Sequence, residues 1–574
     1  MSAELTTRWA AEVARALADA GVRRVLIAPG SRSTPLVFAC LEQPRLSVDS
    51  IIDERCAGFF ALGVAKISGE PAVAITTSGT AAAHLYPAVI EAAHSEAPLL
   101  ALTADRPAGL QQVSAPQTID QTRLYGPFAR GFFDLGLPCE AHLASVARKL
   151  TQALALTRDP SPGPVQVNVP FDKPLEPQPL EPSATPSPRV ITPRRAAVDP
   201  AELAAARRAV GDAKRGLVVL GPAARAVAPA LLAELVERTG FALVPDAQCS
   251  QRYALGGVAT EAIADGADWW LGGAGAPPPP DLVLQLGGPP LHAGWGRWLS
   301  QGTTLLVFGS HGFADPTQRA TEVVLGDVDA NVRGLLAGFE SSREALGRRR
   351  EYRSRLAAAS ARAFEAVDAH LARRATELSE LGTARSVVDA LGPQDVLVVG
   401  NSSPIRLLGL ACRARAVGPR LVVQRGANGI DGLLALAAGV ASAHAGRTAL
   451  LLGDVSFQHD VGGLATTRLA RQPLPIVVLD NGGGRLFEQL PVWPLVSGRA
   501  HERFWTTPPE LDIGAAATAF GVPHERAQTV LELERGLTRA LERGGATVLW
   551  ARVPAHGASE DQRSIAARLQ EATA

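Results

Sequence analysis

The sequence predicts an α/β protein built from three parallel-sheet domains. Three observations carry this reading. The chain has 574 residues, too many for one core, and at roughly 150 residues per domain it divides into three or four. Short runs of Val, Ile and Leu alternate with helical patterns, as parallel strands and their crossover helices do. Between residues 170 and 200 the chain carries prolines at 174, 177, 179, 182, 186, 188 and 193, which forbid helix and favour an extended connector.

In the first block, residues 1–180, Trp9, Val13 and Leu17 share one helical face and Gly21 ends that helix. Strands are predicted at 25–29, 72–76, 99–104 and 165–169. The second block, 195–340, supplies strands at 216–221, 281–287 and 304–309. Residues 341–381 are rich in Arg, Glu and Ala and predict a long, solvent-facing helical connector, with a further helix near 384–391. The third block, 375–574, adds strands at 395–400, 421–424, 448–454, 475–481 and 547–553. The first and third blocks are similar in kind.

Composition excludes several function classes. A hydrophobic share of 47% with 20% charged residues fits large buried sheets rather than a disordered chain. Lys+Arg and Asp+Glu both number 56, so there is no basic field for nucleic acid or anionic membrane. Cys40, Cys56, Cys139, Cys249 and Cys412 form no CxxC pair and read as free thiols in a reducing cytoplasm. Glu4, Arg8, Glu12 and Arg15 interrupt the N-terminal helix pattern where a signal peptide needs an apolar stretch. The longest apolar stretches, such as 433–443, fall short of the ~20 residues that span a bilayer.

The sharpest local signal is GDVSFQHD at 453–460 followed by LDNGGG at 479–484, each at the C-terminal end of an apolar strand. The interval holds one helix, expected over 457–471, and one return strand, the content of a right-handed βαβ unit. Asp454 and Asn481 are therefore expected on neighbouring strand ends. A carboxylate, an amide oxygen and the carbonyl of Gly483 are hard ligands that suit octahedral Mg²⁺ completed by diphosphate oxygens and water. No G-x-x-x-x-G-K-[ST] phosphate loop is present.

At these residues the chain resembles the thiamine-diphosphate (ThDP) dependent enzymes. The resemblance implies ThDP with Mg²⁺ or Mn²⁺, the metal on Asp454, Asn481 and Gly483, and Gly453 and Ser456 beside the diphosphate. The segment DERCAGFFALG, from residue 53, matches the region whose glutamate activates the cofactor through its aminopyrimidine ring, which places that role on Glu54. Read without the resemblance, Glu54 is an ordinary carboxylate at a helix start. Ile430, in RGANGIDG, would bend the cofactor, with Leu486 and Phe487 completing an apolar wall; all three are equally compatible with core packing. In this family the cofactor lies between a pyrimidine-binding domain (here 1–180) and a diphosphate-binding domain (375–574) of different chains. A homodimer or homotetramer is implied.

Arginines narrow the choice further. APGSRSTPL, TADRP, GNSSPIR and QRGANGIDG stand at predicted strand ends, where open parallel sheets bind ligands, so Arg32, Arg106, Arg406 and Arg425 could share an anionic cleft. A substrate bearing several carboxylates would need them. Together these segments resemble the branch of the family that serves menaquinone biosynthesis. That resemblance implies decarboxylation of 2-oxoglutarate and 1,4-addition of the succinyl carbanion to isochorismate. It assigns Ser31, Arg32, Arg106 and Gln117 to the isochorismate side and Asn401, Ser402, Arg406 and Arg425 to the succinyl side. Arg32 and Gln117 join Glu54 as catalytic candidates. Arg297, in the central block, reads as a surface residue, and His84, His94 and His459 have no motif-based role. The alternative is an acetolactate-synthase-like carboligase, although nothing diagnostic of its flavin is visible.

Overall fold

The computed structural model describes residues 2–179, 197–223, 225–271, 276–496 and 498–571. The expected breakpoints at 180 and 195, with most of the proline-dense connector, lie outside the described residues. Three sheets form, all parallel, and the described chain divides into two units. One comprises Met1–Arg194, Gln424–Ala445 and Asp460–Gln472; the other comprises Arg195–Val423, Gly446–His459 and Pro473–Ala574.

The first unit holds strands β1 (Arg24–Ile27), β2 (Ser47–Ser50), β3 (Ala72–Thr76), β4 (Leu99–Asp105), β5 (Phe132–Asp134) and β6 (Pro164–Pro170), ordered β2-β1-β3-β4-β6-β5. Its centre is apolar because β3, β4 and β6 are buried along their whole length, as strands covered on both faces must be. The apolar stretch near 433–443 is a helix of this unit, Leu433–Ala443, buried on nearly every side. It crosses the helix Glu54–Ser68 backbone against backbone. A Cβ added at Gly63 would stand 2.1 Å from the carbonyl oxygen of Leu436, and one at Gly439 would stand 2.1 Å from that of Phe60.

The second unit holds two sheets. The first contains β7 (Gly216–Leu220), β8 (Ala242–Pro245), β9 (Leu282–Leu286), β10 (Thr304–Gly309) and β11 (Glu322–Leu325), ordered β11-β10-β9-β7-β8. The other contains β12 (Val396–Val399), β13 (Arg420–Val423), β14 (Thr448–Gly453), β15 (Leu474–Asp480), β16 (His524–Ala527) and β17 (Ala546–Arg552). Its order, β13-β12-β14-β15-β17-β16, repeats that of the first unit strand for strand. The expected likeness of the first and third blocks is thus a shared topology.

Two expectations need correction. The 341–381 segment is not a solvated spacer. Its helix, Arg343–Arg373, buries Arg349, Tyr352, Leu356, Ala359, Ala363, Phe364 and Val367 along one face. Arg349 donates to the carbonyls of Ala213 (2.7 Å) and Thr239 (3.0 Å), satisfying the ends of two helices. Charged composition hid this because arginines bury their stems and spend their donors on carbonyls. The single helix expected over 457–471 is also absent. A short helix, Asp454–His459, gives way to a 3₁₀ segment, Val461–Leu469. At the break, Asp460 is fully buried, accepts the backbone N–H of Leu434 (2.8 Å) and Ala435 (3.3 Å), and pairs with Arg55 at 3.0 Å.

Candidate active site

The GD and N motifs meet as their spacing requires. β14 and β15 are adjacent parallel strands with Gly453 level with Leu479, so Asp454 and Asn481 leave neighbouring strand ends. Glycine is needed in the turn that follows: Gly482 and Gly483 take φ of +76° and +118°. A Cβ at Gly483 would meet the carbonyl oxygen of Thr506 at 2.3 Å, whereas the Cβ direction of Gly453 opens on empty space. Asp454 is buried and accepts the N–H of Gly483 at 2.7 Å and of Val455 at 2.8 Å. Burial pushes its carboxyl up to about 7 against those two donors, and the nearby Asp480 adds to the shift. Asp480 is itself held below the usual range despite its burial, by Arg552 and Trp550. The Asp454 carboxylate, by contrast, has no positively charged partner among the described residues. A divalent cation would supply one, so the donor set fits a metal-bound diphosphate. Among the described residues no cluster of three His, Cys, Asp or Glu forms a rival metal site.

Asn481, also buried, donates from Nδ2 to Oε1 of Glu380 at 2.8 Å. Glu380 begins the helix Glu380–Asp389 and is buried, which pushes its carboxyl up to about 7. Sequence reasoning missed this residue, since nothing in its neighbourhood links it to a motif 101 positions away. The Gly483 carbonyl accepts the N–H of Arg485 at 2.8 Å, which leaves its second lone pair. Ser456 is buried in the helix that Asp454 begins. Leu486 and Phe487 follow on the turn Arg485–Gln489; neither is buried, and Phe487 keeps 39% of its surface exposed. Core packing therefore does not account for them.

In the same unit, Asn401 is buried just beyond β12 and Ser402 takes a φ of +67°, strained for a residue with a Cβ. Arg406 donates to the Ser402 carbonyl at 2.6 Å. Burial holds its guanidinium below its ordinary range while Asp268 opposes that effect. Asp268 is pushed up to about 7, first by burial and then by Asp246. His292 is held below the usual imidazole range by burial, then by the charges of Arg297 and Arg406. Arg297 is exposed, as expected.

The first unit gathers the other candidates. Arg32 follows β1 in a 3₁₀ turn, buried, its N–H on Thr77 Oγ1 (3.2 Å) and its guanidinium on the Phe171 carbonyl (2.8 Å). β1 and β3 flank the point where the strand order reverses, the position at which open sheets bind ligands. Burial, then the neighbouring Arg106, holds Arg32 below its ordinary range. Arg106 donates to the Gln117 carbonyl at 3.3 Å, and Gln117 Nε2 donates to the Ser78 carbonyl at 3.1 Å. Ser31 is exposed beside Arg32. The structure thus brings Arg32, Arg106 and Gln117 together in a cation-rich corner.

Glu54 opens the helix Glu54–Ser68 behind its N-cap Asp53, half-buried, and its carboxylate has no hydrogen-bond partner among the described residues. Arg425 and Ile430, both partly buried, lie on a loop pinned by Glu91, which accepts the N–H of Gly426 (3.0 Å) and Ala427 (2.7 Å) and pairs with Lys66 at 3.0 Å. His84, His94 and His459 are exposed, and His94 stands edge-on to Phe128.

Two strand-end sites on sheets of identical order, one with a free carboxylate and one with an oxygen donor set, define the class: an α/β enzyme of the ThDP-dependent type. Family models agree. Residues 7–124 match the N-terminal TPP binding domain of thiamine pyrophosphate enzymes, and residues 412–551 match the C-terminal TPP binding domain. The chain is 41% identical to the 2-succinyl-5-enolpyruvyl-6-hydroxy-3-cyclohexene-1-carboxylate synthase of Sorangium cellulosum, covering 96% of this chain and 93% of that protein. The synthases of Myxococcus xanthus (38%, covering 99% and 98%) and Rubrobacter xylanophilus (37%, covering 94% of each) are similar over the same extent. The chain belongs to the 2-succinyl-5-enolpyruvyl-6-hydroxy-3-cyclohexene-1-carboxylate synthase family.

Proposed function

We propose that this ThDP-dependent enzyme decarboxylates 2-oxoglutarate and adds the succinyl fragment to the ring of isochorismate, in menaquinone biosynthesis. The observation that carries the reading is the buried Asp454, tied to the Gly483 N–H beside Asn481 on the next strand end. Family membership supports the choice of substrates over the acetolactate-type alternative. Asp454, Asn481 and the Gly483 carbonyl would hold Mg²⁺ or Mn²⁺, and the open space at Gly453 leaves room for the diphosphate. When bound, ThDP supplies the electron sink for decarboxylation.

The chain's own residues bind, orient and move protons. Glu54 carries a carboxylate free to hydrogen-bond the aminopyrimidine, which would favour the imino form of that ring, the group that takes the C2 proton. Arg406 with Asn401 and Ser402, and Arg425, would hold the carboxylates of 2-oxoglutarate. Arg32, Arg106 and Gln117 would hold isochorismate, their clustered charge favouring an anion. These carboxylates persist through the reaction, so the arginines contribute orientation. Ile430, Leu486 and Phe487 would form the apolar wall. A homodimer or homotetramer fits the unpartnered Glu54 and the nearby Ile52, which leaves 87% of its surface exposed. The five cysteines are free, in keeping with a reducing cytoplasm, and among the described residues no helix is long and apolar enough to cross a membrane.

The test is CO₂ release from 2-oxoglutarate with and without isochorismate. Release that isochorismate accelerates, with a stoichiometric adduct, is expected; turnover of pyruvate in preference to 2-oxoglutarate would overturn the assignment.

A further inference from the structure

An asparagine that ligates a magnesium ion faces a choice that an aspartate does not. Its amide has two ends of nearly the same shape, and only the oxygen is a ligand for a hard cation. Something must select the end. In this structure Nδ2 of Asn481 donates to Oε1 of Glu380 at 2.8 Å, with both side chains buried. Oε1 accepts in this contact, which takes up the NH₂ end and leaves Oδ1 as the end that remains.

Three features set this contact apart from incidental packing. Glu380 belongs to a helix that precedes β12, far in sequence from the loop it steadies. It is 1% exposed, yet its second oxygen, Oε2, accepts no hydrogen bond among the described residues. Asn481 is thus its only hydrogen-bonded side-chain partner among them, and a buried carboxylate with one partner is costly to keep. The loop itself is already secured by other means. Gly483 donates to Asp454, and Arg485 Nε donates to the Asn481 backbone carbonyl at 3.3 Å, so the fold of the turn does not need Glu380.

We propose that Glu380 is a positioning residue that orients the Asn481 amide so that its oxygen is the end presented to the diphosphate-bound divalent cation. The inference rests on the reading of Asn481 as a metal ligand. Outer-sphere partners of this kind alter metal affinity by about 10–100-fold when removed.

The experiment is calorimetric titration of Mg²⁺ into the full-length protein with saturating ThDP, in a double-mutant cycle that does not depend on turnover. Asn481→Ala tests the ligand assignment alone, and unchanged Mg²⁺ affinity there would remove that reading whatever Glu380 does. Glu380→Met, which fills similar space without an acceptor, is expected to weaken Mg²⁺ about 10–100-fold. In the Asn481→Asp background, where both ends of the side chain are oxygens, Glu380→Met should cost nothing. Glu380→Gln keeps an acceptor and should stay within about threefold of the parent. The inference is overturned if Glu380→Met costs the same in both backgrounds, or if Glu380→Gln is as damaging as Glu380→Met. Should Glu380→Met fail to fold, the Gln variant decides alone: retained affinity supports the hydrogen-bond role, and a tenfold loss refutes it.

Discussion

The backbone crossing of the helices Glu54–Ser68 and Leu433–Ala443 leads to a quantitative expectation for Gly63→Ala. The new Cβ would lie 2.1 Å from the Leu436 carbonyl oxygen and 3.0 Å from the Val440 nitrogen. Ordinary carbon–oxygen contact needs a little over 3 Å, so the helices must part by about 1 Å, and backbone rather than a flexible side chain has to give. Overpacking of this kind costs up to about 3 kcal/mol, and the higher helix propensity of alanine returns about 1 kcal/mol. The net loss is about 2 kcal/mol. The helix that moves begins with Glu54, and a misplacement near 1 Å costs about 100-fold where geometry is catalytic. Two measurements check this: the denaturant midpoint, and the rate of ThDP C2 proton exchange. Gly347→Ala is the control, because its Cβ direction is empty and its helix is regular; it should be neutral or stabilise by up to about 1 kcal/mol. If Gly63→Ala matches the parent in both stability and exchange, the close crossing does not set the position of Glu54.

Glu54→Gln should bind ThDP normally by calorimetry while slowing C2 proton exchange by orders of magnitude, since the amide cannot share a proton with the aminopyrimidine ring to favour its imino form; parent-like exchange would strip Glu54 of its role. Arg406→Ala should slow CO₂ release from 2-oxoglutarate alone by roughly ten- to a hundredfold, the value of about 1.5–3 kcal/mol for one charge-assisted contact. Arg32→Ala should instead release the first CO₂ normally and stall when isochorismate is supplied, which single-turnover measurements resolve; equal loss of the first stage in both variants would refute this division of labour. Because Arg32 also satisfies the Phe171 carbonyl, its variant should lose about 1–3 kcal/mol of stability as well. Asp395 is held below the usual carboxylate range, against its burial, by Arg447 at 2.9 and 2.6 Å and by the Gly392 N–H. Its stabilisation is therefore full above the unfolded-state value near 3.9 and is lost as pH falls through the lower folded value. Asp395→Asn should cost about 1–2 kcal/mol at pH 7, reduced by the exposure of Arg447, and denaturation midpoints should show the gap closing below about pH 5.

How much of the fold was legible depended on where each strand lies in its sheet. Central strands such as β4, β6 and β15 are buried along every residue, so they read as unbroken apolar runs. β2 and β5, at the edges of the first sheet, have mixed exposure and polar residues, and no apolar run marked them. The helix Arg343–Arg373 was mistaken for a solvated connector for a related reason. Pattern reading equates charge with solvent, but Arg349 is buried by giving its donors to helix-end carbonyls that lie 110 and 136 positions away. Only the folded chain brings those carbonyls within reach.

The candidate site divides along the same line. Candidates that stand at strand ends, such as Asp454 and Gly483 flanking a βαβ unit or Arg32 just past β1, could be located from spacing because parallel sheets put successive strand ends side by side. Residues that act through a partner could not. Glu380 carries no motif, and Asp268 and His292, whose charges or rings face Arg406 from another sheet's loops, give no sequence signal of that proximity. Asp460 shows the boundary most clearly. It lies inside the quoted GDVSFQHD motif, yet its work is to break the expected helix, accept two N–H groups at the start of the Leu433–Ala443 helix and pair with Arg55. That arrangement ties the residue after Glu54 to the helix that crosses Gly63. The proposed role of Glu54 thus depends on packing within its own unit, which is why a substitution at Gly63, remote from any candidate ligand, is expected to reach it.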